Sequence, residues 1–343
     1  MLQDKPHILI LYTGGTIGSF EDPESRSLMP VEFSQLHKFI PELQLIDATI
    51  EVVAMAQPKD SSDMQLDDWR WIVNQIEKYY KKVDGFVVLH GTDTMAYTAS
   101  AVSFMIEHNQ KPIVFTGSQL PIGKIRTDGK ENLITAIEIA AARWDNKPIV
   151  PEVAIYFEHT LYRGNRTNKF SAEHFNAYQS PNYPALAQAG VTIDYNFSAI
   201  HSADRKDTTF FYELQNDIAV FPMFPGFSKK LAQHIFSMPL FAIVLHTYGF
   251  GNAPILPWFF DILSEANSRD VIILNITQCQ QGSVQMGKYI TSVELQKVGV
   301  ISGADMTLEA AITKLMHLGG RYHGQTSRIK ELLQQSLRGE LTR

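Results

Sequence analysis

The 343-residue chain has little of what several large classes of protein depend on. Its single cysteine, Cys279, excludes an intramolecular disulfide framework and a cysteine-based metal cluster. Lysine and arginine number 30 against 36 aspartates and glutamates, which gives a net charge of −6. Because no basic surplus is present to neutralise phosphates, we do not expect nucleic acid as the main partner. No apolar run approaches the roughly 18 residues of a membrane-spanning helix, so we expect no membrane partner either.

The remaining composition fits a soluble globular enzyme. Hydrophobic residues make up 45% of the chain and charged residues 19%, unlike a disordered protein. The apolar run near the N-terminus spans only about six residues and has neither a basic region nor a small-residue cleavage site beside it. We therefore expect no secretory signal and a cytoplasmic location. The length allows two domains, which we place at 1–197 and 218–343, with 198–217 as a linker.

Patterns typical of buried strands alternate with helical patterns along the chain. Each apolar run is short and ends at glycine or polar residues. The alternation predicts an α/β fold, with a larger N-terminal domain built on a mainly parallel sheet flanked by helices and a smaller C-terminal α/β domain. Right-handed crossovers place the strand-to-helix turns at one edge of the sheet. The predicted strands are 8–12, 46–56, 86–89, 113–115, 153–157, 218–223, 241–245 and 271–276.

Three segments of the N-terminal part are predicted differently. Residues 20–30 and 162–170 are polar and carry no period, so we expect two surface loops. Residues 34–43 are predicted to form a short helix. In the second loop we expect Arg163 and Arg166 either to be solvated or to pair across a subunit interface.

The first strand ends in a glycine-rich turn, Thr13-Gly14-Gly15-Thr16-Ile17-Gly18. The turn is not a dinucleotide fingerprint, because Thr13 stands where the first glycine belongs and the second strand ends without a ribose-binding acid. It is not a phosphate-binding loop, because no Gly-Lys-Ser/Thr follows. Two interpretations remain open at this point. Thr16 either caps a helix in a structural turn or presents its hydroxyl for chemistry.

A second hydroxyl-bearing turn, His90-Gly91-Thr92-Asp93-Thr94, follows the third predicted strand. In a parallel sheet it lies at the same edge as Thr16, and two such turns are typical of a nucleophile and its helper. A threonine hydroxyl attacks poorly until its proton is removed, and a lysine held neutral by burial is one route. Lys169 is the candidate amine. A nearby Asp93 favours the charged lysine, so an electrostatic role for Lys169 also stays open.

These motifs, taken together, resemble bacterial type I (cytoplasmic) L-asparaginases. The resemblance begins with the two threonine turns, which are highly specific as a pair. Further matching stretches run in order to residue 342, so the resemblance covers essentially the whole chain. They are Asp60-Ser61-Ser62-Asp63-Met64, Thr116-Gly117-Ser118-Gln119, Arg163-Gly164-Asn165-Arg166-Thr167-Asn168-Lys169, Gly249-Phe250-Gly251-Asn252-Ala253-Pro254, Asn275-Ile276-Thr277-Gln278-Cys279, Gly303-Ala304-Asp305-Met306-Thr307 and Leu337-Arg338-Gly339-Glu340-Leu341-Thr342.

The resemblance implies hydrolysis of L-asparagine to L-aspartate and ammonia. It makes Thr16 the nucleophile that forms an acyl-enzyme, and Thr92, Asp93 and Lys169 the triad of the second threonine. It implies no metal or organic cofactor and a homo-oligomer, either a homodimer or a homotetramer. Substrate-binding residues implied in the same way, with Asp93 helping to hold the α-ammonium, are Asp60, Ser61, Ser62, Gly91 and Ser118.

The sequence departs from the family's pattern at three positions. Leu28 stands before Met-Pro-Val, where members carry a tyrosine, so the usual proton-transfer partner of Thr16 is missing there. Tyr12 is nearby but is expected to be structural. In the allosteric asparagine site of type I enzymes, Cys279 matches, whereas His246 replaces an arginine and Asn168 a threonine. Losing the bidentate carboxylate partner predicts that asparagine does not activate this enzyme allosterically.

Two other functions compete with this prediction. The glutamine-hydrolysing component of a tRNA-dependent amidotransferase resembles the same family but carries an extra N-terminal domain, whereas here the first strand begins by residue 7. A non-catalytic asparagine sensor is favoured only by the missing loop tyrosine.

Overall fold

The computed structural model describes residues 5–21, 28–30, 40–202, 206–288 and 290–342, with backbone only for 19–21, 28–30 and 291. The chain divides into two compact units, Met1–Phe211 and Tyr212–Arg343. The boundaries 1–197, 198–217 and 218–343 that the sequence indicates remain a proposal. Among the helices that the described residues form, none combines the length and apolar character that crossing a membrane requires.

An eight-stranded sheet organises the N-terminal unit. Its strands lie in the order β8-β7-β6-β5-β4-β3-β1-β2, in which β2-β1-β3-β4-β5 are parallel and the last three strands pair antiparallel. The α/β class with a mainly parallel sheet is therefore confirmed. The strands are β1 His7–Gly14, β2 Thr49–Lys59, β3 Gly85–Leu89, β4 Ile113–Thr116, β5 Val153–Phe157, β6 Thr160–Arg163, β7 Ala187–Ala189 and β8 Ile193–Tyr195.

Three helices accompany the parallel strands: α1 Leu66–Tyr79, α2 Met95–Met105 and α3 Gly129–Ala141. Every residue of α2 except Tyr97 is buried, which explains why its sequence contains no charged residue and only apolar and small hydroxyl residues at its buried positions. All residues of β3, β4 and β5 are buried as well. Central parallel strands covered on both faces have continuous apolar sequences, and this is the pattern that the sequence shows.

The strand order places the ends of β1 and β3 side by side. The chain leaves β1 towards β2 on one side and leaves β3 towards β4 on the other, so β1 and β3 flank the point where the connections diverge. Open α/β sheets bind ligands in the crevice beyond the carboxyl ends of such strands. The register pairs Tyr12 with Leu89, and the Thr13 hydroxyl donates to the Leu89 carbonyl at 2.9 Å. The two threonine turns therefore begin beside one another.

Short elements differ from the predicted loops and helix. In the stretch 20–30, predicted as a loop, Ser19–Glu21 pairs antiparallel with Leu28–Pro30. Of the predicted helix 34–43, residues 34–39 lie outside the described residues, and the chain beyond them forms a 3-10 turn, Pro41–Leu45. Other antiparallel pairs are Arg143–Trp144 with Lys147–Pro148, Asn168–Lys169 with Tyr178–Gln179, and Ile106–Glu107 with Thr209–Phe210.

The prediction that residues 162–170 form a polar surface loop is wrong. Tyr162 and Arg163 belong to β6, and Gly164–Arg166 forms a 3-10 turn whose residues are buried. Arg163 is 2% exposed, and its Nε donates to the Glu152 carboxylate at 2.5 Å. Arg166 is also 2% exposed. Both arginines are therefore buried inside this unit rather than solvated. Around the Arg163 guanidinium, the Glu152 carboxylate and the Ala199 carbonyl replace water.

The C-terminal unit contains a second, four-stranded parallel sheet in the order β9-β10-β11-β12. Alternate residues of β10 enter two apolar clusters: Ile243 and Leu245 pack on one face, and Ala242 and Val244 on the other. The smaller α/β domain is confirmed. Its strands are β9 Ile218–Pro222, β10 Ala242–Thr247, β11 Ile272–Thr277 and β12 Ile301–Ser302, and its helices are α4 Lys229–Ser237, α5 Pro257–Ser268, α6 Ile290–Lys297, α7 Leu308–Arg321 and α8 Thr326–Leu333.

A buried ion pair anchors the last residues of this unit. Lys314 of α7 and Glu340 are both 0% exposed, and their charged groups are 2.6 Å apart. Lys314 also donates to the carbonyls of Leu333 and Gln335, while Glu340 accepts from the amides of Leu337 and Arg338. Burial by itself raises the pKa of Glu340, but Lys314 and these amides hold that pKa below its ordinary value.

We predict that Lys314→Met lowers the free energy of unfolding of the C-terminal unit by about 3–5 kcal/mol, because it leaves a carboxylate buried without a counter-charge. Urea unfolding followed by circular dichroism measures the change. The matched control is Lys297→Met, which breaks an exposed pair with Glu294 and should cost less than about 1 kcal/mol. Equal losses in the two variants would contradict the assignment.

Candidate active site

Two glycines allow the turn after β1 to pass between its neighbours. Gly14 and Gly15 have φ angles of +127° and +83°. A Cβ on Gly14 would lie 2.0 Å from the Lys59 carbonyl oxygen, and one on Gly15 would lie 2.4 Å from the Gly91 nitrogen. The Gly15 amide donates to the Lys59 carbonyl at 3.0 Å. Only glycine combines this conformation with this approach of backbone to backbone.

Thr16 opens a 3-10 turn, Thr16–Gly18, immediately after these glycines and stays partly exposed. Tyr12 of β1 stabilises the turn, because its hydroxyl donates to the Gly18 carbonyl at 2.9 Å. Burial raises the pKa of Tyr12 to about 12. Tyr12 is therefore a neutral phenol that supports the turn. The side chain of Leu28, at the position of the missing family tyrosine, lies outside the described residues.

The loop after β2 presents carboxylate and hydroxyl groups. Asp60 caps the turn Ser61–Asp63, and its Oδ1 accepts from both the amide and the hydroxyl of Ser62 at 2.8 Å. These two bonds, with a smaller contribution from the charge of Lys169, hold the pKa of Asp60 below its ordinary value. Asp60 and Ser62 are exposed and Ser61 is buried. The loop therefore offers an ionised carboxylate at neutral pH.

The turn after β3 is bound tightly to that loop. A Cβ on Gly91 would lie 2.7 Å from both Cβ and Oγ of Ser61. The Thr94 hydroxyl donates to the Ser61 carbonyl at 2.6 Å, and the Asp93 amide donates to the Ser61 hydroxyl oxygen at 3.2 Å. The turns after β1, β2 and β3 thus meet through Gly15, Gly91 and Ser61.

Lys169 extends towards the turn after β3 from one of two short antiparallel strands, Asn168–Lys169 and Tyr178–Gln179. Its Nζ donates to the Thr92 hydroxyl oxygen at 2.8 Å and to Asp93 Oδ1 at 2.6 Å. The side chain of Lys169 is 16% exposed and that of Asp93 is 62% exposed. The three residues that the sequence groups as a triad therefore contact one another. Lys169 Nζ is the donor to both Thr92 and Asp93 in this arrangement.

His90 supports the turn from inside the core. Its Nδ1 donates to the Gly91 carbonyl at 2.7 Å, and its Nε2 accepts from the Thr98 hydroxyl at 2.9 Å. Trp69 Nε1 in turn donates to the Thr98 hydroxyl oxygen at 3.0 Å. Complete burial lowers the pKa of His90 to about 4. His90 is a neutral residue with both ring nitrogens satisfied.

Two residues at the site escape sequence reasoning. The Thr92 hydroxyl donates to Gln119 Oε1 at 3.2 Å, and the Tyr178 hydroxyl donates to the Thr92 carbonyl. Gln119 could have been found from the sequence, because it belongs to a motif that matches the family. Tyr178 could not, because an aromatic residue is ordinarily interpreted as part of the core. Ser118 lies in the same loop as Gln119, is 2% exposed and donates its hydroxyl to the Leu120 carbonyl at 2.6 Å. Its contact with substrate remains a prediction.

The three residues predicted for an allosteric site belong to different units. His246 and Cys279 lie near one another, since His246 Nε2 donates to the Thr277 carbonyl at 3.1 Å and the Cys279 amide donates to the Thr277 hydroxyl oxygen at 3.0 Å. Burial lowers the pKa of His246. Asn168, in the N-terminal unit, has a buried Oδ1 with no hydrogen-bond partner among the described residues. An allosteric role for these residues remains a prediction.

Known proteins similar to this chain cover nearly all of it. The family descriptions that match are Asparaginase, N-terminal, over residues 7–201, and Glutaminase/Asparaginase C-terminal domain, over residues 217–333. L-asparaginase 1 of Escherichia coli (strain K12) is 40% identical over 98% of this chain and 98% of that protein. The crystal structure of L-asparaginase I from Vibrio cholerae covers 99% of this chain and 100% of that chain, with 39% identity and a TM-score of 0.90. A component of the glutamyl-tRNA(Gln) amidotransferase of Methanococcus maripaludis is 30% identical over 98% of this chain and 80% of that protein.

The two-unit α/β fold and these matches define an amidohydrolase. The chain belongs to the asparaginase family, as its motifs predict. Within the ranges that the structure describes, no group of three or more histidine, cysteine or carboxylate residues is arranged to hold a metal ion.

We predict that Gly91→Ala lowers the rate of amide hydrolysis by at least about 100-fold, because its Cβ pushes Ser61 away and an error of about 1 Å in an active site has effects of this size. Gly190→Ala is the control, since the nearest atom to its Cβ, the Thr192 carbonyl oxygen, is 3.7 Å away. An unchanged rate in Gly91→Ala, with circular dichroism like the wild type, would contradict the close packing of these turns.

Proposed function

We propose that the protein hydrolyses L-asparagine to L-aspartate and ammonia through an acyl-enzyme on Thr16. The observation that carries the proposal is the hydrogen-bonded group Lys169–Thr92–Asp93, which extends from a strand end adjacent to that of Thr16. The similarity to L-asparaginases over nearly the full length supports the choice of asparagine. The reaction as proposed needs no metal or organic cofactor.

The substrate's α-groups bind to the loop after β2 and to Asp93. Asp60 and Asp93 supply carboxylates for the α-ammonium, and Ser61 supplies a hydroxyl group for the α-carboxylate. The Ser62 hydroxyl, which donates to Asp60 in the absence of substrate, turns to the α-carboxylate when substrate binds. The Ser61 oxygen already accepts from the Asp93 amide, so its own proton remains to be donated. Charge-assisted bonds to both α-groups hold the side-chain amide over Thr16.

In the first half of the reaction the Thr16 oxygen attacks the side-chain carbonyl carbon of asparagine, and the Thr16 hydroxyl proton passes to solvent water. Backbone amides at the strand ends stabilise the oxyanion. The C–N bond then breaks, and the departing nitrogen takes a proton from Thr92 while Lys169 replaces that proton. In the second half water attacks the resulting ester and gives one proton through Thr92 to Lys169 and its other proton to the Thr16 oxygen, so that aspartate leaves as the carboxylate and Thr16 regains its hydroxyl.

The experiment that tests the proposal is an ammonia-release assay with asparagine and glutamine as substrates and aspartate as the blank. Release from asparagine in preference to glutamine is expected. Release from glutamine alone would favour the amidotransferase component, whose similarity is lower than that of L-asparaginase 1. Tight asparagine binding without ammonia would favour a sensor. A cytoplasmic location and assembly as a homodimer or homotetramer are further parts of the proposal, and analytical ultracentrifugation tests the assembly.

We predict that Thr16→Ala lowers ammonia release by at least about 1,000-fold, because no other hydroxyl replaces the nucleophile. Thr192→Ala is the matched control, since Thr192 is an exposed threonine of the same unit. With the wild type, rapid acid quenching and mass spectrometry should find an aspartyl adduct on the peptide that contains Thr16. A Thr16→Ala variant with a wild-type rate would reject Thr16 as nucleophile.

Thr92→Val and Lys169→Met should each lower kcat by at least about 100-fold, the scale of general acid–base catalysis. Lys147→Met, at the exposed first position of the short strand Lys147–Pro148, is the control for loss of a lysine. Steady-state kinetics with asparagine measures the effect. A fall of less than about tenfold in Lys169→Met would restrict Lys169 to electrostatic support.

A further inference from the structure

Lys169 and Tyr178 both contact Thr92 from one short hairpin, which is formed by Asn168–Lys169 and Tyr178–Gln179. Lys169 and Tyr178 lie directly opposite one another in the antiparallel ladder, so their side chains share a face. Lys169 Nζ donates to the Thr92 hydroxyl oxygen at 2.8 Å, whereas the Tyr178 hydroxyl donates to the Thr92 carbonyl oxygen. The Tyr178 side chain is 2% exposed, and its ring packs edge-on against Phe157 with centroids 5.0 Å apart. The position of the phenol is therefore fixed by packing.

The Thr92 carbonyl belongs to the same planar peptide group as the Asp93 amide. That amide donates to the Ser61 hydroxyl oxygen at 3.2 Å, so the peptide group is held at both ends, by Tyr178 and by Ser61. A rotation of this plane would turn the side chains of Thr92 and Asp93 together. Both of these side chains are bonded to Lys169.

The loop of the same hairpin also orients the proton of the Thr92 hydroxyl. That proton is directed to Gln119 Oε1, 3.2 Å away. The Nε2 of Gln119 donates to the carbonyls of Ala172 and His174, at 3.3 Å and 3.0 Å. The hairpin thus determines which group donates to the Thr92 oxygen, which group accepts from it, and how its peptide is turned.

We propose that Tyr178 is a positioning residue for the reaction. By fixing the Thr92–Asp93 peptide, its hydroxyl keeps the Thr92 hydroxyl oxygen within hydrogen-bond distance of Lys169 Nζ. The chemical part of this inference rests on the proposed function. Tyr178 donates to a backbone carbonyl and exchanges no proton with Thr92 or with substrate. Its contribution is the geometry of proton transfer, to which reaction rates are highly sensitive.

The test is Tyr178→Phe, which removes one oxygen and keeps the ring. We expect kcat for asparagine to fall about tenfold, with KM changed by less than about twofold, because the positioned group acts after the substrate has bound. The matched control is Tyr183→Phe. Tyr183 also donates its hydroxyl to a buried backbone carbonyl, that of Ala199 at 2.8 Å, in the same unit. That variant should keep the wild-type kcat.

A double-mutant cycle separates positioning from a purely structural role. Once Lys169→Met has removed the group that Thr92 is aligned with, adding Tyr178→Phe should lower the residual rate by less than about twofold. The same tenfold loss in both backgrounds would overturn the proposal, because it would mean that the Tyr178 hydroxyl acts independently of Lys169. An unchanged kcat in Tyr178→Phe alone would overturn it too.

A measurement without substrate keeps the inference independent of the proposed function. Amide hydrogen exchange at Asp93 should be about fivefold faster in Tyr178→Phe than in the wild type, because the opposite end of its peptide is released. Exchange at Asp93 like the wild type would overturn the inference even if the protein hydrolyses asparagine. A wild type that releases no ammonia would instead overturn the proposed function, and the exchange rate would still decide whether Tyr178 holds this peptide.

Discussion

The site depends on three turns whose backbones touch. Gly15 approaches Gly91, and Gly91 approaches Ser61, at distances that leave no room for a Cβ. No ion pair or long side chain could set the separation of these turns so narrowly, because flexible groups adjust whereas backbone atoms in van der Waals contact do not. Glycine is therefore required at these positions for spacing as well as for conformation. This contact therefore fixes the positions of the hydroxyl and carboxylate groups that follow in each turn.

The charges of the N-terminal unit perform two different tasks. The pair Lys169–Asp93 is partly exposed, and exposed pairs contribute about 0–1 kcal/mol to stability, so its presence is better explained by chemistry than by folding. Arg163 and Glu152 are buried and joined by two hydrogen bonds. Removing either partner would leave a buried charge unpaired, at a cost of several kcal/mol. Because Arg163 ends β6 just before the turn that leads to Lys169, this pair fixes the base of the segment that carries the lysine.

The central fold could be predicted from sequence because its strands are buried on both faces. Such strands have continuous apolar runs, and β1, β3, β4 and β5 show them. The antiparallel strands β6, β7 and β8 were not predictable in the same way. They are three or four residues long, and only some of their residues are buried. The sequence misleads at Arg163 because charge indicates solvation unless the partner is known, and Glu152 precedes it by 11 positions, just before β5.

The residues of the candidate site also fall into those that the sequence could locate and those that it could not. The turns carrying Thr16 and Thr92 could be located, because parallel strands bring their carboxyl ends to one edge. Tyr178 could not, since it is 86 residues from the carbonyl that it contacts and nothing local distinguishes it from a core aromatic residue. Interactions set by neighbouring residues are predictable from a single sequence. Interactions set by packing across the unit require coordinates.

The ion pair inside the C-terminal unit has a consequence for the order in which this unit folds. Lys314 is buried in α7, but its counter-charge comes from Glu340, and Asp305 accepts from the amide and hydroxyl of Thr342. Until the segment that contains Glu340 has docked, the core around α7 must stay open, enclose an ammonium without its counter-charge, or take the proton off Lys314. The core around α7 and the segment that contains Glu340 are therefore coupled in folding, because neither buries its charge at low cost without the other.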